Sequence, residues 1–182
     1  STTISSPRSR LARQALARLA HDSIVTVIPN RGAFVSSPSV EEARGVFDAR
    51  RLIEPQLVRR LANSADATAI ERLRAHVALE SAARAANDRR AIIRLSGDFH
   101  QIIAELAGNG FLARTMRELE TLTCLVIILY DAPNVPSCPH HEHSGIIDAV
   151  EAHDGERAAR LMQDHLNHVE GSLDLSQAAD GE

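Results

Sequence analysis

The sequence has no tryptophan and no lysine, and it has only one tyrosine, four phenylalanines and two cysteines. With aromatics at 3% the core must be built from aliphatic side chains, and any role that depends on aromatic stacking is limited. Two cysteines, Cys124 and Cys138, are too few for a disulfide framework, so a reducing cytoplasm is the expected location. No apolar run approaches the ~20 residues of a bilayer span, and no leader-like pattern opens the chain, so no membrane partner is expected. Without lysine, all 20 basic residues are arginine. Genomic composition accounts for this, although arginine also suits phosphate contacts.

The rest is an ordinary globular composition, 44% hydrophobic and 24% charged over 182 residues, enough for one good core or two small ones. The charge is unevenly placed. Residues 1–35 hold five arginines (Arg8, Arg10, Arg13, Arg18, Arg31) against Asp22, a balance of +4, which leaves −8 of the total −4 for residues 36–182. A basic head on an acidic body points the head, and not the body, toward a polyanion.

In the head, Ser9–Ala20 reads as a helix with Leu11, Ala15, Leu16 and Leu19 on one face and Ser9 as its N-cap. Two β-forming runs, Ile24–Ile28 and Ala33–Val35, flank the turn residues Pro29-Asn30-Arg31-Gly32, and Ser36–Ser39 reads as a linker. A basic helix followed by a hairpin with arginine at its tip is the end of a winged helix, in which the helix enters the major groove and the hairpin reaches the backbone or minor groove. The stretch RQALARLAHDSIVTVIPNRGAFV resembles the recognition helix and wing of GntR-family bacterial transcriptional regulators. That resemblance implies operator DNA as a partner, with contacts at Arg8, Ser9, Arg10 and Arg13 in the helix and Asn30, Arg31 and Gly32 in the wing. The sequence departs from the pattern in its Arg8-Ser9 order and in Ser23, which stands where glycine is usual. The two helices that precede a recognition helix are expected to lie outside this sequence.

From Val40 onward the patterns are helical: one long helix or a pair broken near Pro55, a helix capped by Asp66, one ended by Gly108-Asn109, an apolar helix up to Tyr130, and two more over about 139–153 and 155–173. The proline-rich stretch 131–139 between them is a loop. The expected fold is mainly α, an antiparallel bundle of about six helices preceded by the winged-helix remnant. The expected layout is a partial DNA-binding domain over 1–36, a linker over 37–40, an effector-binding and dimerisation domain over 41–174, and a polar tail over 175–182.

Nine histidines are many for this length. His100 shares a helical face with Ile103 and Ala107, His143 is in phase with Ile147 and Val150, and His165 lies on the stripe Leu161, Met162, Leu166, Val169. Three inward histidines on three helices are either hydrogen-bonded core residues or a metal site of the kind bundles build between facing helices. His21, His76, His153 and His168 have no such phase support and are expected to be solvated or at the rim. The dense cluster Cys138, His140, His141 and His143 could form a local zinc clip, but adjacent histidines diverge and no second cysteine pair completes the spacing.

GDFHQIIAELAGNGFL and EHSGIIDAVEAHDGERAARLMQDHL resemble the two signatures of the FCD ligand-binding domain found in FadR-type regulators, and ARRLIEP resembles the segment that opens it. The resemblance implies a divalent ion, zinc or nickel, held by His100, His143 and His165, and a small carboxylate effector. The family aspartate four residues before the first histidine is here Ser96, while Asp98 falls about 200° round the helix. Arg50 is either an effector-carboxylate partner or a surface ion pair; Ser96, Tyr130 and Asn134 complete the effector candidates. The expected function is therefore a ligand-responsive, homodimeric transcriptional regulator and not an enzyme. A three-His metallohydrolase, with Asp98 or Glu142 as base, and a helical dimerisation module with structural histidines are the competing readings.

Overall fold

A computed structural model describes residues 7–21, 25–29, 31–130 and 140–176. The chain divides into two compact units, 1–37 and 38–182.

In the first unit, α1 (Pro7–His21) is followed by an antiparallel hairpin of β1 (Val25–Ile28) and β2 (Gly32–Val35), in register from Val25 opposite Val35 to Ile28 opposite Gly32. The helix begins two residues before the expected Ser9 cap, because proline is pre-organised for a first turn, where its missing N–H costs nothing. Ser9 is thus a helix residue and not a cap. At the hairpin tip Arg31 N–H donates to the Ile28 carbonyl, and Gly32 takes φ +112°, a conformation that side chains disfavour. Leu11, Leu16 and Leu19 of the expected apolar stripe are exposed, as are Val27, Phe34 and Val35.

The second unit is a bundle of α2 (Val40–Ala62), α3 (Ala67–Ala85), α4 (Arg89–Leu106), α5 (Gly110–Tyr130), α6 (His140–Glu151) and α7 (Gly155–Gly171). Five of these starts have a chemical reason in the sequence. Ser39, expected as linker, forms a reciprocal capping box with Glu42, and the Asp66, Asp88 and Asp154 carboxylates accept from the N–H groups of Ala69, Ala91 and Arg157. Asn109 belongs to the next helix and not to the end of α4, since its side chain accepts from Phe111 and Leu112 N–H. Pro55 does not break α2. Its missing hydrogen bond costs about 3 kcal/mol, which burial of Phe47, Leu57, Val58 and Leu61 on the same helix outweighs.

α2 packs along α7 and also touches α4, α5 and α6, while α3 packs on α4 and α6. The main core joins Leu57, Leu61, Leu73, Phe99, Ile103, Met116, Ile146, Ile147, Met162 and Leu166, an aliphatic set with one phenylalanine. A smaller cluster gathers Phe47, Ile93, Val126, Ile127 and Val169. No helix among the described residues is long and apolar enough to cross a membrane.

Candidate metal centre

Helical phase brings His100 from α4, His143 from α6 and His165 from α7 to one place in the core, where they are 3%, 0% and 1% exposed. His165 Nε2 lies 3.2 Å from His100 Nε2 and 3.3 Å from His143 Nε2. Phe99 stacks on the His143 ring at 3.9 Å between centroids and holds it flat.

The outer nitrogen of each ring meets a carboxylate. His100 Nδ1 is 2.5 Å from Glu54, His143 Nδ1 is 2.8 Å from Glu80, and His165 Nδ1 is 2.8 Å from Glu142. An ionised carboxylate only accepts, so each Nδ1 carries the ring proton and each Nε2 presents a lone pair to the centre. Burial opposes a second proton on His100, whose basicity is lowered to about 3 despite Glu54, and holds His143 well below the ordinary histidine value. Nε2 lone pairs facing one another at this distance repel unless a proton or a metal cation lies between them. An ion about 2.0–2.1 Å from each nitrogen sets tetrahedral neighbours roughly 3.3 Å apart, which the observed spacings match. The donor set therefore fits a divalent ion that favours nitrogen, held by His100, His143 and His165 with the carboxylates orienting the rings.

Glu54 leads to a second buried network. Arg50, 2% exposed, donates from Nε to Glu54 at 2.5 Å and from Nη1 to the Thr123 hydroxyl at 3.3 Å. Its Nη2 lies 2.9 Å from Glu120, an ion-pair contact without hydrogen-bond alignment. Burial would raise the Glu54 carboxyl, but the Arg50 charge and the hydrogen bonds from His100 and Arg50 outweigh it and lower the group to about 2. Glu120 goes the other way: burial, reinforced by Glu54 and Asp98, outweighs Arg50 and pushes it well above the usual carboxylate range.

The other expected residues fall in different places. Arg50 matches neither alternative set out for it in simple form, since it is neither a surface ion pair nor an unengaged cation. Ser96, one turn before His100, is half-buried, and Asp98 turns outward onto Arg94 at 2.9 Å. The Tyr130 hydroxyl donates to the Pro38 carbonyl and packs with the smaller core cluster, apart from the histidines. Asn134 lies outside the described residues, as do Asn30, Cys138 and the side chains of Arg8, Ser9, Arg10 and His140. Arg13 and Arg31 are exposed. Within the cluster that opens α6, His141 is exposed and His143 is buried, so the two do not face one centre. His76 corrects the rim expectation: it is buried, with Nε2 2.7 Å from the Leu95 carbonyl. His153 is exposed in a left-handed turn, its Nδ1 donating to the Ala62 carbonyl, and His168 is likewise exposed and bonded to Glu142.

Sequence reasoning missed Glu54 and Glu80 and read Glu142 only as a possible base. The signal lay in acids placed on apolar faces: Glu80 is in phase with Leu73, His76 and Val77, and Glu54 follows Arg50 by one turn.

Comparison with known proteins decides the family. The model of the FCD domain matches residues 45–168. The chain belongs to the GntR family of regulators and carries its FCD domain. Among relatives, this GntR-family chain is 32% identical over 181 residues to the HTH-type transcriptional repressor NanR of Enterobacter sp. (strain 638), covering 86% of this chain and 68% of that protein. NanR of Escherichia coli (strain K12) is also 32% identical, with 86% and 67% covered. A GntR transcriptional regulator from Rhodococcus sp. RHA1 shares the fold with a TM-score of 0.75 at 24% identity, covering 92% of this chain and 84% of that one. E. coli McbR/YncC does so with a TM-score of 0.73 at 16% identity, covering 87% and 81%. GntR-family proteins are transcriptional regulators that bind operator DNA and often act as dimers.

Proposed function

We propose that this chain is the effector-sensing and part of the DNA-reading apparatus of a homodimeric transcriptional regulator, and that its helical body binds a divalent ion together with a small carboxylate effector. The observation that carries the reading is the convergence of three Nε2 lone pairs, each fixed by a carboxylate on its own Nδ1. His100, His143 and His165 hold the ion, which, when bound, supplies an electropositive anchor for an anionic effector. Zinc and nickel suit this donor set best.

The chain's own residues do the remaining work. Glu54, Glu80 and Glu142 keep the rings turned and raise their donor strength. Arg50 is committed to Glu54 and Glu120, so its part in effector binding is to fix Glu54 and not to reach the ligand itself. In the head, α1 with Arg8, Ser9, Arg10 and Arg13 reads the major groove, and Asn30, Arg31 and Gly32 set the wing on the backbone. The homodimer places two such heads on two half-sites, and effector binding changes their fit through the first helix of the body. The hydrolase alternative is weaker, because Glu54, Glu80 and Glu142 are each spent on an imidazole N–H and Asp98 on Arg94, which leaves none of the four as a general base.

Calorimetric titration of zinc and nickel into the metal-free protein tests the reading. One ion per chain is expected, with binding lost in H143A, which removes one of the three ligands. Binding of equal strength in H143A contradicts it.

A further inference from the structure

His100 takes part in two clusters of metal-ligating groups. One is the three-histidine centre. In the other, one ring nitrogen of His100 and one carboxylate oxygen each of Glu54 and Glu120 lie within 4.8 Å of one another. The donors come from α4, α2 and α5, and Glu54 and Glu120 are 2% and 6% exposed. Glu54 sits 2.5 Å from His100 Nδ1, so this cluster lies on the Nδ1 side of the ring, away from the Nε2 lone pair. Two carboxylates and an imidazole are a donor set for zinc, iron or manganese.

The Glu120 carboxyl marks this cluster as a cation site. Among the described residues neither of its oxygens has a hydrogen-bond partner, and both are closed to solvent. A buried carboxyl in that state calls for a cation or a proton. A cation is at hand. The Arg50 guanidinium lies between the two acids, with Nε 2.5 Å from Glu54 and Nη2 2.9 Å from Glu120. Two carboxyls share its single charge, and the surplus at Glu120 is met by a proton, since burial raises that group well above the usual range. A divalent ion at the same point would neutralise both carboxylates, and the guanidinium excludes it by charge and by bulk.

We propose that Glu54, Glu120 and His100 Nδ1 form a second cation site, in which the Arg50 guanidinium is the resident cation and excludes a divalent ion. The inference stands apart from the three-His reading, because it concerns the other nitrogen of the ring. Without the guanidinium, an ion takes Glu54, Glu120 and Nδ1, and the Nδ1 proton moves to Nε2 wherever the histidine centre is broken. Arg50 thus decides which nitrogen of His100 is open to a metal.

Calorimetric zinc titration of proteins that all carry H143A, so that the histidine centre is broken, tests this: H143A alone, and H143A with R50M, with R50K, or with R50M and E120Q. H143A/R50M is expected to bind one zinc per chain, because methionine keeps the stem of the side chain and removes its charged head. H143A alone and H143A/R50K, in which lysine still supplies a cation, should bind none. The E120Q combination, which lacks one carboxylate, should also bind none. Circular dichroism with and without zinc accompanies each titration. Should R50M unfold the chain, zinc is expected to restore its helix, since an ion that binds only the folded state stabilises it. An H143A/R50M protein that neither binds zinc nor regains helix with it, or whose zinc survives E120Q, overturns the second site; the wild-type titration still reads the three-His site by itself. Equal zinc binding by H143A/R50K or by H143A overturns Arg50 as the resident cation. A wild-type chain that binds no zinc, beside an H143A/R50M protein that binds one, overturns the three-His reading and not this one.

Discussion

Replacing Arg50 by methionine should expose how much the buried network is worth. Arg50 and Glu54 are each 2% exposed and meet at 2.5 Å, and Glu120 lies against the same guanidinium. Removing the cation leaves the Glu54 charge in the core with His100 Nδ1–H as its main support. Breaking a buried pair from one side costs about 3–5 kcal/mol, whereas deleting one partner of an exposed pair costs about 0–1 kcal/mol. The effect has a pH signature. With its folded-state carboxyl lowered to about 2 from the ordinary 4.5, Glu54 contributes stability that is complete above pH 4.5 and is lost as the pH falls toward 2. In R50M, Glu54 escapes by taking up a proton, so the gap between the proteins should be widest near neutrality and close toward pH 3. His100 is held neutral down to about 3 by burial and in part by the Arg50 charge, so in R50M it takes up a proton more readily, which narrows the gap further in acid. Urea unfolding of metal-free protein at pH 7 and at pH 4 measures both quantities. A deficit under about 1 kcal/mol at pH 7, or one that does not shrink in acid, refutes the buried-pair account.

Glu120→Gln should behave oppositely. Its folded carboxyl is raised, so its contribution is complete below pH 4.5 and is lost as the pH rises; the glutamine variant should match wild type in acid and exceed it near pH 8 in the same urea assay. Glu80→Gln should weaken zinc binding about 10–100-fold while keeping one ion per chain, because it removes the carboxylate on His143 Nδ1 but none of the Nε2 donors; competition with a chromophoric chelator reads this. Phe99→Ala should cost about 3–5 kcal/mol of stability through the cavity it leaves, and should loosen the metal by freeing the His143 ring that Phe99 stacks on.

The bundle and its three histidines were readable because helical phase records which side chains point inward. His100, His143 and His165 each repeat with the aliphatic residues that share their burial. Phase carries no information about which polar group waits across the interface, so the Glu54, Glu80 and Glu142 partners emerged only once α2, α3 and α6 were packed. Arg50 shows the same limit: sequence left it open between an effector partner and a surface ion pair, whereas Glu54 one turn along α2 and Glu120 on the facing α5 hold it in the core. Pro55 left α2 open between one helix and a broken pair, and the single helix holds because it buries Leu57, Val58 and Leu61 just beyond the proline. His76 was hidden because its partner is the Leu95 backbone carbonyl, a group that every sequence contains.

The central claim is that three imidazoles form the heart of a divalent-ion site, and X-ray absorption at the metal edge of zinc-loaded protein tests it most directly. The account predicts three imidazole nitrogens at about 2.0–2.1 Å, with oxygen donors completing the shell, and the loss of that signature in H143A. A shell containing sulfur, one with a single imidazole, or no bound zinc at all would contradict it.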